Sequence, residues 1–143
     1  MRTAVSLFWI AVLLLAGPGA GAREDARTRR EARVARLHEM LANSRPTYRA
    51  KAAEVLGVLR VEGAEDKLVA ALSDGDERVR EAAAAALGKL RARGAVDPLM
   101  VALDDPIGGG TIAAITALGE IGDARAAKAI AGKLGAEPVL WLP

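Results

Sequence analysis

Val79-Arg80-Glu81-Ala82-Ala83-Ala84-Ala85-Ala86-Leu87-Gly88-Lys89-Leu90 is the stretch that decides the fold, because its pattern returns every 31 residues. Leu87-Gly88 is preceded by Leu56-Gly57 and followed by Leu118-Gly119. Leu59, Leu90 and Ile121 keep the same step, as do Ala64, Ala95 and Ala126. Leu68, Leu99 and Ile130 make a fourth column, and Leu72, Leu103 and Leu134 a fifth. A fixed period of roughly 20–50 residues marks a solenoid, in which each unit buries its apolar face only against its neighbours. The expected fold is all-α: a right-handed α-solenoid of about three helix pairs with an N-terminal capping helix.

Composition agrees with this reading. Aromatic residues make up 3% of the chain and hydrophobic residues 52%, mostly Ala, Leu and Val. Such a core relies on small side chains and close helix approach, since few rings are present to fill space. The formal net charge of +2 is too small to imply a polyanionic partner. Charge is uneven, however: residues 23–49 hold eight Arg against four acids, and residues 50–143 hold eleven basic and fourteen acidic groups. Cys is absent, which excludes a disulfide framework, a thiolate metal site and a Cys nucleophile.

The first residues read as a leader. After Arg2, an apolar run extends over residues 5–16, and Gly17-Pro18-Gly19 breaks it. Ala20-Gly21-Ala22 fits the small-residue cleavage rule and Arg23-Glu24-Asp25 begins a polar segment, so residues 1–22 are expected to be a signal peptide cut after Ala22. The run is shorter than the ~20 residues of a membrane span. Residues 3–22 carry no charge, and an uncleaved membrane anchor is the alternative. The expected location is exported, periplasmic or secreted.

Residues 23–46 are expected to form the capping helix and its turn. Val34, Leu37, Met40 and Leu41 share one helical face, and Arg27, Arg29, Arg30, Arg33 and Arg36 lie mostly elsewhere. Leu37 and Leu41 stand one period before Leu68 and Leu72, which makes this helix half a repeat. Its Arg-rich face suits the polar outer surface of a cap. A basic binding strip, or a face for anionic lipid headgroups, is the sharper alternative.

Three units follow, over residues 47–76, 77–106 and 107–137. In the first, Thr47 is the expected N-cap of a helix reaching about Arg60, Gly63 breaks the chain, and a second helix covers residues 64–72. In the second, Asp76 caps a helix over residues 77–90, Gly94 ends it, and a partner helix with Pro98 in its first turn ends near Leu103. In the third, Ile107-Gly108-Gly109-Gly110 replaces the first helical turn, so a flexible loop is expected, with helix over residues 111–121. Gly122-Asp123 turns the chain into a last helix over residues 124–134. The tail, residues 138–143, is expected to lie across the open C-terminal end of the stack or across a partner. Gly57, Gly88 and Gly119 each sit inside a helix, where Gly costs roughly 1 kcal/mol against Ala. A repeated cost implies a repeated geometric need: a crossing where the second helix of the same pair comes close to the backbone.

These columns resemble HEAT-like repeats, in particular the short class of the phycobilisome lyases, whose unit reads V-R-x-x-A-A-x-A-L-G-x-L-G followed by A-v-x-x-L-x-x-A-L-x-D. Val79 through Leu90 match closely, as do Ala95-Val96-Asp97-Pro98-Leu99 and Ala102-Leu103-Asp104-Asp105. Tyr48-Arg49 and Gly110-Thr111 stand at the Val-Arg position of the outer units. The resemblance implies a scaffold or adaptor, although some members handle bilins and one group is a metal-dependent hydroxylase. That hydroxylase carries His-Glu dyads where this chain has Arg49-Ala50, Arg80-Glu81 and Thr111-Ile112. Only Glu81 fits.

No catalytic constellation survives inspection. His38 is the sole histidine, too few for a multi-His centre, and is expected on a solvated face beside Arg36 and Glu39. Asp74, Asp76, Glu77, Asp104 and Asp105 lack the ligand series of a calcium loop and read as capping residues. Gly108-Gly109-Gly110 has no preceding strand and no following Lys-Ser or Lys-Thr, so it is no phosphate loop. Ser44 and Ser73, the serines beyond the leader, sit in no nucleophile motif.

The expected function is an exported, non-catalytic scaffold for protein–protein interaction, with no metal and no cofactor. Its partner-binding strip is expected on the second helices, at Asp66, Val69, Asp97, Met100 and Val101, facing away from Leu68, Leu72, Leu99 and Leu103. A lyase-like accessory protein holding a chromophore or another small cofactor is the alternative. Near-zero charge and the lack of stacking aromatics argue against nucleic acid. Membrane contact is expected only through an uncleaved leader, and a homo-oligomer through the C-terminal end.

Overall fold

The computed structural model describes residues 19–104 and 110–133, with side chains from residues 23–104 and 110–132. Seven α-helices are present among the described residues: α1 (Gly19–Leu41), α2 (Pro46–Val58), α3 (Glu65–Ala71), α4 (Glu77–Leu90), α5 (Val96–Ala102), α6 (Thr111–Ile121) and α7 (Ala124–Lys133), with a 3₁₀ turn at Arg93–Ala95 before α5. The expected loop at residues 107–110 lies almost wholly outside the described residues, as do most of the leader and the tail. Two units divide the chain, Met1–Ala35 and Arg36–Pro143. In the first, α1 exposes every described side chain from Arg23 to Arg33. The expected cut after Ala22 falls in the first turn of α1.

The second unit contains the stack. The first helices of the pairs form one layer, with α2 packed on α4 and α4 on α6. Each second helix packs forward onto the next first helix, α3 on α4 and α5 on α6, and α7 packs back on α6 and α5. Leu56, Leu87 and Leu118 of the first layer, with Leu68 and Leu99 of the second, are fully buried. Each such leucine contributes about 1.5–3 kcal/mol relative to exposure. Ala64, Ala95 and Ala126 are buried beside them. The expected all-α solenoid is therefore present, with the Leu56 and Ala64 columns buried in all three units; Leu134 of the fifth column lies outside the described residues.

Two columns change environment along the stack. Ile130 is half-buried where Leu68 and Leu99 are fully buried. The reason is the forward packing: no further first helix covers α7 among the described residues. At the other end Leu59 is 44% exposed, whereas Ile121 is buried. Leu59 lies one turn beyond Val55, on the side of α2 that has no preceding first helix among the described residues.

Helix ends follow local chemistry. Pro46 opens α2, because its fixed φ suits the first helical position and holds Arg45 extended (φ −86°, ψ 121°). Arg45, not Thr47, thus occupies the cap position, and it makes no side-chain cap. Asp76 caps α4 as expected, accepting a hydrogen bond from the Arg78 N–H at 3.0 Å. Left-handed residues end the first helices: Arg60 (φ 47°), Arg91 (φ 51°) and Gly122 (φ 72°), again one period apart. Only Gly takes this conformation without steric cost. Arg91, rather than Gly94, ends α4, and Gly94 sits in the 3₁₀ turn.

The glycine column has the close approach that was expected, with a different neighbour. A Cβ built on Gly57 would lie 2.6 Å from Cα of Ala86, and one on Gly88 would lie 2.8 Å from Cα of Ala117. The approaching element is the first helix of the next unit, not the second helix of the same pair. The physical reason is that the first helices stack directly on one another, so their backbones meet at the crossing point. At Gly119 a Cβ would meet nothing within 4 Å among the described residues.

Candidate functional site

Two surfaces qualify as sites. The first is a shallow groove of about 680 Å³ across the outer face of the first helices. Thr47, Ala50, Lys51 and Glu54 of α2 line it, followed by Arg78, Glu81, Ala82 and Ala85 of α4 and by Ile112 and Ala113 of α6. These positions repeat with the period: Ala50, Glu81 and Ile112 form one row, and Lys51, Ala82 and Ala113 another. The floor is low because its side chains are mostly methyl groups, and Ile112 is 78% exposed at one end. Of the run Ala82 to Ala86, Ala83, Ala84 and Ala86 turn into the core, and Ala85 faces outward.

Charge rims this floor. Lys51 Nζ and Glu54 Oε2 pair at 2.8 Å, and that hydrogen bond holds the Glu54 carboxyl below its ordinary pKa. Arg78 pairs with Asp76 at 2.9 Å. Glu81 makes no ion pair among the described residues, so it is the uncompensated charge of the groove.

The second surface is the strip expected on the second helices. Asp66, Asp97 and Val101 are exposed, Val101 to 73%, while Val69 and Met100 are half-buried. All five lie on α3 and α5, and Asp97 is also held by Arg125 of α7 at 3.1 Å. The groove was not foreseen, because exposed and buried alanines look alike in a sequence. Its signal was the methyl-sized pair one period apart, Ala82 and Ala113, with Ala85 one turn from Ala82.

Between the units the turns are pinned by charge. Arg49 grips Asp74 through Nε–Oδ2 and Nη2–Oδ1, both 2.7 Å, and its Nη1 donates to the backbone carbonyls of Asn43 and Ser44. Asp74 also accepts from the Asp76 N–H at 2.9 Å, and Arg80 Nη1 donates to the Asp74 carbonyl at 2.9 Å. The Arg49 hydrogen bond is the main reason the Asp74 carboxyl is held below its ordinary pKa; the Asp76 N–H adds to this and burial opposes it. Asp74 is thus an ion-pair partner rather than a cap. Among the described residues no group of three His, Asp or Glu side chains is placed to hold a metal ion. His38 is not on a solvated face as expected. It is half-buried with Nε2 shielded, and burial, then the nearby Lys67 charge, lower its pKa.

Comparison with known families fits the stack. Residues 34–109 match the HEAT repeats, a segment spanning more than half of the chain. The chain belongs to the HEAT-repeat family. The matched segment takes in the last part of α1 and the first two HEAT units, and it does not single out the lyase class. No curated protein matches the chain.

Proposed function

We propose that this HEAT-repeat protein is an exported, non-catalytic adaptor that binds a protein partner along the groove of its first helices. The observation carrying this reading is the groove itself: an alanine floor crossing all three first helices, with Ile112 exposed at its end. An amphipathic helix fits such a floor, because methyl-sized side chains leave room for its larger apolar residues. Glu81 favours a basic residue on that helix. The strip of Asp66, Val69, Asp97, Met100 and Val101 is a second docking face, and Gly119, with half-buried Ile115 and Ile130, is the end through which two copies would join.

Site-specific photocrosslinking tests this. A photoreactive side chain at Ile112 should capture a protein of defined mass in the envelope fraction, and Ala85→Arg should abolish capture. Adducts from Val101 alone would move the site to the strip. A small-molecule mass on the native protein, with no protein adduct from either position, would favour the cofactor-holding alternative. Export is tested by the N-terminus of the mature chain: Arg23 is expected, and Met1 would mean an anchor.

A further inference from the structure

The charge of α1 is divided between two sides of the helix. At the 3.6 residues per turn of an α-helix, Arg23, Arg29, Arg30 and Arg33 fall within an arc of about 120°, and Glu24, Asp25 and Glu31 fall within an opposite arc of about 120°. The cationic arc also takes in Met40 and the buried Leu37 further along α1, so Arg30 and Arg33 share the apolar side of the helix rather than lying away from it as expected. All seven side chains are exposed. Arg27 lies between the two arcs and is paired with Glu31 at 2.9 Å. The other four arginines make no ion pair among the described residues. An exposed cationic ridge of this kind is neutralised by nothing in its own helix.

We propose that this ridge docks on an anionic phospholipid surface, with the guanidinium groups of Arg23, Arg29, Arg30 and Arg33 bound to headgroup phosphates and the acidic side facing water. The guanidinium fork matches phosphate oxygens in pairs. Two features favour a lipid surface over a nucleic acid. The ridge follows directly on residues 3–22, which carry no charge, so it lies beside the one stretch of the sequence apolar enough to enter a bilayer. α1 also carries no Phe, Tyr or Trp on which a base could stack, and the nearest such ring, Tyr48, stands alone. The docking is electrostatic and separate from the groove. It brings the N-terminal helix to a bilayer whether or not the leader is removed.

Co-sedimentation of the full chain with vesicles tests this, comparing pure phosphatidylcholine with phosphatidylcholine containing about 30% phosphatidylglycerol. The quantity read is the excess binding to the anionic vesicles, which sets aside whatever the apolar leader does on its own. The excess should be lost between about 0.1 M and about 1 M salt, where the screening length falls from about 10 Å to about 3 Å. Arg29→Gln/Arg30→Gln/Arg33→Gln should lower it by roughly fivefold per arginine, on the order of a hundredfold together. Gln keeps helix propensity and the positions are exposed, so circular dichroism should be unchanged. Equal binding to both vesicle types, or full excess in the triple variant, would overturn the proposal. Release of the bound chain by a short DNA duplex, at phosphate concentrations below that of the lipid, would overturn it in favour of a nucleic acid.

Discussion

Gly88 and Gly119 stand in the same column of the repeat, yet a methyl group at Gly88 would strike Ala117 and the Glu120 carboxylate, and one at Gly119 would meet nothing within 4 Å among the described residues. The same contrast runs through the second helices, where Leu99 is fully buried and Ile130 is half-buried. In both columns the residue type is kept and the environment is not. What differs is the neighbour: α4 and α5 are covered by α6, whereas α6 and α7 have no following first helix among the described residues. In a solenoid a residue's energetic role depends on the next unit as well as on its own.

The largest effect should come from the leucine column. Leu99→Ala should lower stability by about 3–4 kcal/mol, as for other fully enclosed leucines. Ile130→Ala should cost about 1 kcal/mol, since part of its surface is already in water. Urea denaturation of the two variants checks this, and equal losses would mean that α7 is covered after all.

The charged turn marks the next difference. Asp74 anchors Arg49 between the first and second units, and the third unit has Thr111 where an arginine stands in the others. Asp74→Asn should cost about 2 kcal/mol at neutral pH. Because the folded pKa of Asp74 lies below its ordinary 3.8, this stability is complete above about pH 4–5 and is lost as pH falls through the folded value. Thermal melts of wild type and variant should therefore converge in acid. A gap that stays constant down to pH 2 would show that the ion pair is not its source.

A smaller effect belongs to the left-handed column. Arg91→Gly should stabilise the chain by up to about 1 kcal/mol, because Gly adopts the left-handed conformation without a Cβ clash. Gly122→Ala should destabilise it by about 1 kcal/mol for the same reason. Opposite signs are the expected result, read as shifts in the melting temperature.

Most of the stack was legible in the sequence, for a physical reason. Burial demands an apolar side chain at each of Leu56, Leu87 and Leu118, and helical geometry fixes their spacing, so the columns state the core directly. The glycine column was half legible: it announced a close approach but not the approaching helix, because a missing Cβ does not say which backbone needs the room. Arg60 and Arg91 gave no sign of their left-handed backbone, which in the third unit Gly122 reveals. On the second helices, the exposure of Asp66, Asp97 and Val101 was read from helical faces, and the half-burial of Val69 and Met100 was not. Nor was the groove, since Ala85 in water and Ala84 in the core are the same letter. His38 was misjudged: it is half-buried, and the Lys67 charge near it comes from a distant part of the sequence.

The glycines at 57 and 88 are required by the next first helix, while Gly119 has no such neighbour among the described residues. The most direct test is one set of urea titrations on Gly57→Ala, Gly88→Ala and Gly119→Ala. The first two should lose about 1–3 kcal/mol, because the new methyl overlaps a backbone atom. The third should gain up to about 1 kcal/mol from helix propensity alone. A loss at Gly119 as large as at Gly57 would contradict the account, for it would place a helix against the end of the stack.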